Sequence, residues 1–516
     1  MNGSQKSLLP GLTRFLPADT NQARGLAAYA LDFLHRDPVP IGPATLDLLE
    51  RFHLDSVGCG VSALAHAANA PTVLRREALA TAPATGTSGA CCFGSRRRCL
   101  AERAVAANAS AVREWDSNGT NFGSDPARGR TAGEFGHNDF YPVAVAAATE
   151  AGLDGAATLR VMLLIDEIRG RLAEVFPLRK YAIDHVHHGT VACAAAFTAA
   201  LSGDEDQVES AIGTAVAHYV PFRAIRAGHQ LSDSKGASAA LAAEAAVMCG
   251  RRALAGFVGP RDVFRNPLAI YRLNQPTADG SSPFDLEFGL GGDAFAIHAM
   301  HFKLGLYEHQ SAGALQSLVD LFARHPALAA DLTGIHRIRV VIYEPAYSII
   351  ADPAKRTPTT RQSADHSLPY ILARTLLKAT PAASGPPGWE ALMLLPADYS
   401  DSAIRDPAAA RLIERITIEQ GGPDYDCLYP DGIPTRVVIE HESLGTLDGG
   451  LVRHPLGHAR ADPARTAAVV DLKFDRLVAG AVDDPAGLRT QVRLAEKTPS
   501  EVAELYAFPI HGCDPG

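Results

Sequence analysis

The sequence predicts a mainly α protein: a large all-helical domain, a smaller α+β lid domain inserted after it, and C-terminal helices that return to the first domain. Three observations predict this. Ala, Leu and Val recur at helical spacing from Leu26 to about Gly256, β-branched and alternating runs begin after Gly259-Pro260, and the helical pattern comes back from about Asp462 to Leu505. The divisions fall at residues 1–266, 267–460 and 461–516. A chain that leaves a helical body, builds a smaller domain and returns places a cleft between the two, and clefts of this kind bind small molecules.

In the first domain the helical stretches are Leu100 to Val112, Ala144 to Ala151, Ala157 to Leu172, Thr190 to Leu201, Val208 to Tyr219 and Ala237 to Cys249. Their alanines permit close approach, and Ser202-Gly203-Asp204 and Ser232-Asp233-Ser234 supply stop and start signals. In the second, Arg337-Ile-Arg-Val-Val-Ile-Tyr343, Arg415-Ile-Thr-Ile-Glu419 and Thr435-Arg-Val-Val-Ile-Glu440 read as strands. Gln310 to Arg324 and Leu368 to Lys378 read as helices, giving antiparallel strands with helices on one face, and Thr380 to Trp389 reads as a surface loop.

Composition narrows the function. A chain of 516 residues, 47% hydrophobic and 20% charged, is long enough for two or more cores and has the texture of an ordinary globular protein. A formal charge of -9, with Arg96-Arg97-Arg98 the one tight basic cluster, argues against non-specific nucleic-acid binding, so an anionic ligand must find local cations. Met1 to Thr20 lacks the pattern of a signal peptide, and no run approaches the ~20 apolar residues of a membrane span, so a cytoplasmic enzyme is expected. The eight cysteines are scattered, with Cys91, Cys92 and Cys99 the one cluster. No Cys-x-x-Cys supplies zinc or iron-sulfur spacing, so they read as reduced thiols and no metal is expected.

Polar groups gather at five places. Arg113-Glu-Trp-Asp-Ser-Asn-Gly-Thr120 follows directly on a helical run, and Gly133-Glu-Phe-Gly-His-Asn-Asp139 places a histidine in a Gly-bearing loop before Pro142, which suits a first helical turn. Asp116 and Asp139 are read either as site residues or as helix caps. Tyr181-Ala-Ile-Asp-His-Val-His-His-Gly-Thr190 is too tightly spaced for one metal ion, and a single imidazole poised as acid or base at the helix start fits better. In Arg223-Ala-Ile-Arg-Ala-Gly-His-Gln-Leu-Ser-Asp-Ser-Lys-Gly236, Lys235 and the helix N-terminus suit a carboxylate, but neither this segment nor Gly289-Leu-Gly-Gly292 matches a nucleotide-binding loop, so neither ATP nor NAD is expected. Lys303, Glu308 and His309 stand near a strand-to-helix junction of the smaller domain, positioned to close over the cleft.

Taken in order, these segments resemble the MmgE/PrpD family over nearly the whole chain, most closely its bacterial 2-methylcitrate dehydratase branch. The matching segments are Asp116-Ser-Asn-Gly-Thr120, Gly136-His-Asn-Asp139, Ile183-Asp-His-Val186, Ser234-Lys-Gly236, and Phe302-Lys303 with Glu308-His309. His454-Pro-Leu-Gly-His-Ala-Arg460 is similar to the Tyr-Pro-Ile-Gly-His-Ala-Arg signature of the dehydratase branch. Two positions depart: Gly119 stands where the family often has a second aspartate, and Asn138 where it has proline.

The resemblance implies a homodimer that acts on di- or tricarboxylates without a cofactor, iron-sulfur cluster or membrane, as in propionate catabolism through the methylcitrate cycle. Dehydrating such an acid requires a base, an acid and cations for the charge that builds on the carboxylate. His137 and His185 are expected to carry proton transfer, which is which being open, with Asp116 orienting or sharing in it. Lys235, Lys303 and Arg223 are expected to bind substrate carboxylates, and Thr120 and His309 to complete the pocket. Decarboxylation or epimerisation of a related acid, and carboxylate binding without turnover, stand as alternatives.

Overall fold

The alanine-rich stretches fold as helices around one fully buried member. The computed structural model describes residues 12–36, 39–121, 123–125, 129–131, 136–226, 230–379 and 385–514. In it, every residue of the helix Val186–Ala200 is buried. A helix that is small or apolar on all sides belongs at the centre of a core. It packs against Ser238–Leu254, Gly155–Val175, Glu205–His218, Gln22–His35 and Tyr141–Ala151. Gly189 shows how close these helices come, since a Cβ there would stand 2.1 Å from the Phe140 ring. Asp204, within the expected stop and start signal, caps Glu205–His218 in a reciprocal capping box with Gln207.

The second half builds a four-stranded sheet in the order Gly445–Val452, Thr435–His441, Ile335–Ile342, Ile416–Gln420. The first three strands are antiparallel, but Ile335–Ile342 and Ile416–Gln420 run parallel. This corrects the antiparallel sheet expected from sequence. A parallel pair requires a long crossover, and the chain supplies one through helices that include Leu368–Lys378 and Pro407–Arg415. Ile338, Val340 and Ile342 are buried while Arg337 is exposed, so the alternation that marked this strand is the alternation of its two faces. Gly445–Val452 gave no strand signal because three glycines and a bulge between Asp448 and Leu451 interrupt its alternation.

The C-terminal helix Pro463–Val478, capped by Asp462 and opened by Pro463, packs along Pro43–Ala65. Thr13–Leu16 pairs with Leu286–Gly289, which also packs on Gly155–Val175, so residues beyond 266 are built into the helical body. Of the expected loop, residues 380–384 lie outside the described residues, and Trp389–Leu392 is a short helix. The eight cysteines are free thiols and six of them are buried. No described helix is long and apolar enough to cross a membrane.

Candidate active site

Asp116 follows the helix Ala101–Arg113 with a φ of 50°, a left-handed conformation that costs a non-glycine residue roughly 1–3 kcal/mol to hold. Such strain persists where the surroundings fix it, and here four groups do. Arg113 salt-bridges Oδ1, and Lys303 Nζ lies 2.9 Å from the same oxygen. Lys235 Nζ and His366 Nε2 lie 3.5 and 3.4 Å from Oδ2. Burial pushes the carboxyl up, but Arg113, Lys235, Lys303 and His366 together hold it well below the usual carboxylate range. Asp116 is therefore held as an anion that orients the cations around it.

His185 stands at the start of the central helix Val186–Ala200. Its Nδ1 lies 2.7 Å from Asp184 Oδ1, and Arg226 Nε grips the other carboxylate oxygen at 2.6 Å. Burial works against the Asp184 charge, but Arg226 and His185 keep this carboxyl well below its usual range. A carboxylate only accepts, so Nδ1 carries the imidazole proton and Nε2 is the basic nitrogen. Gly136, at φ 79°, packs closely against that atom, since a Cβ there would stand 3.0 Å from Nε2. Burial lowers the imidazole to about 4 despite Asp184, leaving a neutral base at pH 7 whose conjugate acid Asp184 stabilises.

Asp116, Thr120, His185, Arg223, Lys303 and His309 share the wall of one cavity of about 210 Å³. Arg113, Arg179, Arg226, Glu308, Lys355 and His366 join them. Six Arg or Lys side chains thus face two carboxyls in a chain of net charge -9, a local excess that suits a polyanion. The volume is below the ~300–1,000 Å³ of sites for drug-sized ligands, so the occupant is small. Glu308 was noted beside His309 in the sequence, and of the residues that sequence reasoning passed over, Arg226 stood in the cation string after Arg223. Lys355 and His366, from the second half, carried no local signal.

Two expected residues lie elsewhere. Lys235 is fully buried between Asp116 and Asp365, at 3.5 and 3.3 Å, behind the wall. His137 is fully buried, edge-on to Phe52 with ring centroids 4.3 Å apart and Nδ1 2.9 Å from Asp166 Oδ1, and it does not line the cavity. A role in direct proton transfer does not follow from that position. The loop residues Gly133 to Phe135 and the segment Ala227 to His229 lie outside the described residues. Phe302 and Lys303 are not in a strand as expected. They follow an isolated bridge between Thr120 and His301, and it is this bridge that brings Lys303 to Asp116.

Gly119, where the resembling motif often carries aspartate, touches the same packing. A Cβ there would stand 2.8 Å from both His137 Cδ2 and Phe52 Cε1. Gly119→Ala is expected to destabilise the fold by about 1–3 kcal/mol through overpacking. Urea unfolding measures it, and an unchanged midpoint would show that Phe52 and His137 yield freely.

The C-terminal helix enters the site through Lys473, which is fully buried. Its Nζ donates to Asp55 Oδ1 at 2.7 Å, to the Ser117 carbonyl at 2.5 Å and to the Lys303 carbonyl at 2.9 Å. The His454-to-Arg460 motif reaches the cavity by stacking: His458 lies on His301 at 4.1 Å, and His301 on His309 at 5.4 Å. Asp116, Asp365 and His366 present ligand atoms within 4.8 Å of one another, the one grouping with metal-binding spacing among the described residues. Lys235 already bridges its two carboxylates, so the positive charge there belongs to the chain.

The match to known proteins spans both halves. The model of the MmgE/PrpD N-terminal domain matches residues 24–278, and that of the MmgE/PrpD C-terminal domain matches residues 308–496. A curated relative, Alkylcitrate dehydratase phiI from Fungal sp. (strain ATCC 74256), is 24% identical over 362 residues, which span 68% of this chain and 66% of the relative.

Proposed function

The chain belongs to the MmgE/PrpD family, and from that premise we propose that it is a hydro-lyase dehydrating a citrate-like tricarboxylate, with 2-methylcitrate or a longer alkylcitrate as substrate. The observation that carries this reading is the cavity wall: six cationic side chains beside an imidazole whose Nδ1 is held by Asp184. The name of the alkylcitrate dehydratase relative supports it. The cations hold the substrate carboxylates and the charge that grows on one of them as the adjacent C–H bond breaks, and His185 Nε2 takes that proton. Lys235 and Asp116 act from behind the wall and within it, keeping Lys303 in place, and His137 serves as packing. Exposed Phe257, Val258, Leu268 and Leu273, in one short stretch of chain, support the homodimer that the resemblance implies.

Purified, chelator-treated protein is expected to convert racemic 2-methylcitrate, citrate or an alkylcitrate to the conjugated alkene, followed by ultraviolet absorbance and proton NMR. Release of carbon dioxide, or deuterium exchange from heavy water with inverted configuration and no alkene, would replace this reading with a decarboxylase or an epimerase.

A further inference from the structure

Expelling hydroxide requires a proton donor, and the inference that follows rests on the dehydratase reading above. The two carboxyls on the cavity wall differ in their company. Asp116 is salt-bridged to Arg113 and Lys303, with Lys235 behind it. Glu308, 7% exposed, takes part in no salt bridge among the described residues. Its Oε2 accepts from the Gln310 amide at 2.8 Å, which anchors the carboxyl at the start of the turn His309–Ser311. The charged and titratable groups that act on it are Asp116, Lys303 and Lys355, and the Tyr343 phenol interacts with it as well.

We propose that Glu308 is the general acid of the reaction, delivering its carboxyl proton to the departing hydroxyl while His185 Nε2 receives the carbon-bound proton. The C–H electron pair becomes the second bond of the alkene, the C–O pair leaves with oxygen, and the proton from Glu308 makes the leaving group water. Glu308 ends as a carboxylate and His185 as an imidazolium, and transfer of one proton from the second to the first, directly or through solvent, restores both. Burial and the Asp116 charge raise the Glu308 carboxyl to about 7, while burial lowers His185 to about 4. Environments that push two groups apart in this way assign one as acid and the other as base.

The test compares wild type with Glu308→Gln in three reactions: loss of water from the hydroxy acid, loss of fluoride from the analogue carrying fluorine in place of the hydroxyl, and exchange of the carbon-bound proton with heavy water. Fluoride leaves as a stable anion and needs no acid. Glu308→Gln is expected to lose about 10²- to 10⁴-fold in dehydration while keeping fluoride loss and proton exchange within a few-fold of wild type. The retained exchange also shows that the variant is folded. Dehydration within tenfold of wild type, or equal losses in all three reactions, overturns the acid role. Wild type inert toward every acid in all three reactions overturns the dehydratase reading itself, and the acid role with it.

Discussion

Replacing His185 with alanine is expected to lower kcat for dehydration by about 10²- to 10⁴-fold, the contribution of a positioned base. KM should change little, because the carboxylates are held by cations on other elements: Arg223, Lys303 and Lys355. The loss should extend to the fluoro analogue and to proton exchange, since each begins with removal of the same proton, and this separates His185 from Glu308. The pH profile carries the same assignment. The base acts when neutral, so activity rises as pH increases through about 4, and the acid acts when protonated, so activity falls as pH increases through about 7. Dehydration is therefore expected to give a bell between these values, and fluoride loss should keep the acid limb but not the alkaline one. A fall of less than tenfold in His185→Ala, measured at the top of the bell, would remove His185 from the reaction.

The helical body was legible in the sequence because its signal is local. Val186–Ala200 and its neighbours are runs of alanine and aliphatic residues at one period, and that period is what packs them. The parallel pairing of Ile335–Ile342 with Ile416–Gln420 was not legible, because a strand's residues report its burial and not the direction of its partner. The candidate site divided along similar lines. Asp116, His185 and Lys303 stand in short polar segments next to helices or turns, where unusual residues show. His366 and Lys355 come from stretches with no such contrast and reach the cavity through the fold of the second half. His137 and Lys235 show the converse. Their segments point to a site, but which polar side chain faces the cavity and which stands behind it depends on side-chain direction, and Lys235 ends between two buried carboxylates.

Lys473 lies outside every polar segment noticed in the sequence, yet its removal is expected to have the largest effect on stability. Lys473→Ala leaves Asp55 as a buried carboxylate without its cation, and breaking a buried pair in this way costs about 3–5 kcal/mol. Urea unfolding should show a lower midpoint, and a loss below 1 kcal/mol would mean that solvent reaches Asp55. Pairing Lys473→Met with Asp55→Asn removes the stranded charge, so most of the stability should return. The Ser117 and Lys303 carbonyls remain without their donor, and an unsatisfied buried acceptor costs about 1–3 kcal/mol. Those two carbonyls flank Asp116 on one side and belong to Lys303 on the other. The double variant should therefore recover stability while kcat stays depressed, because the C-terminal helix no longer sets the spacing between the aspartate and the lysine that it holds. Joint recovery of stability and kcat would instead make Lys473 a partner of Asp55 alone.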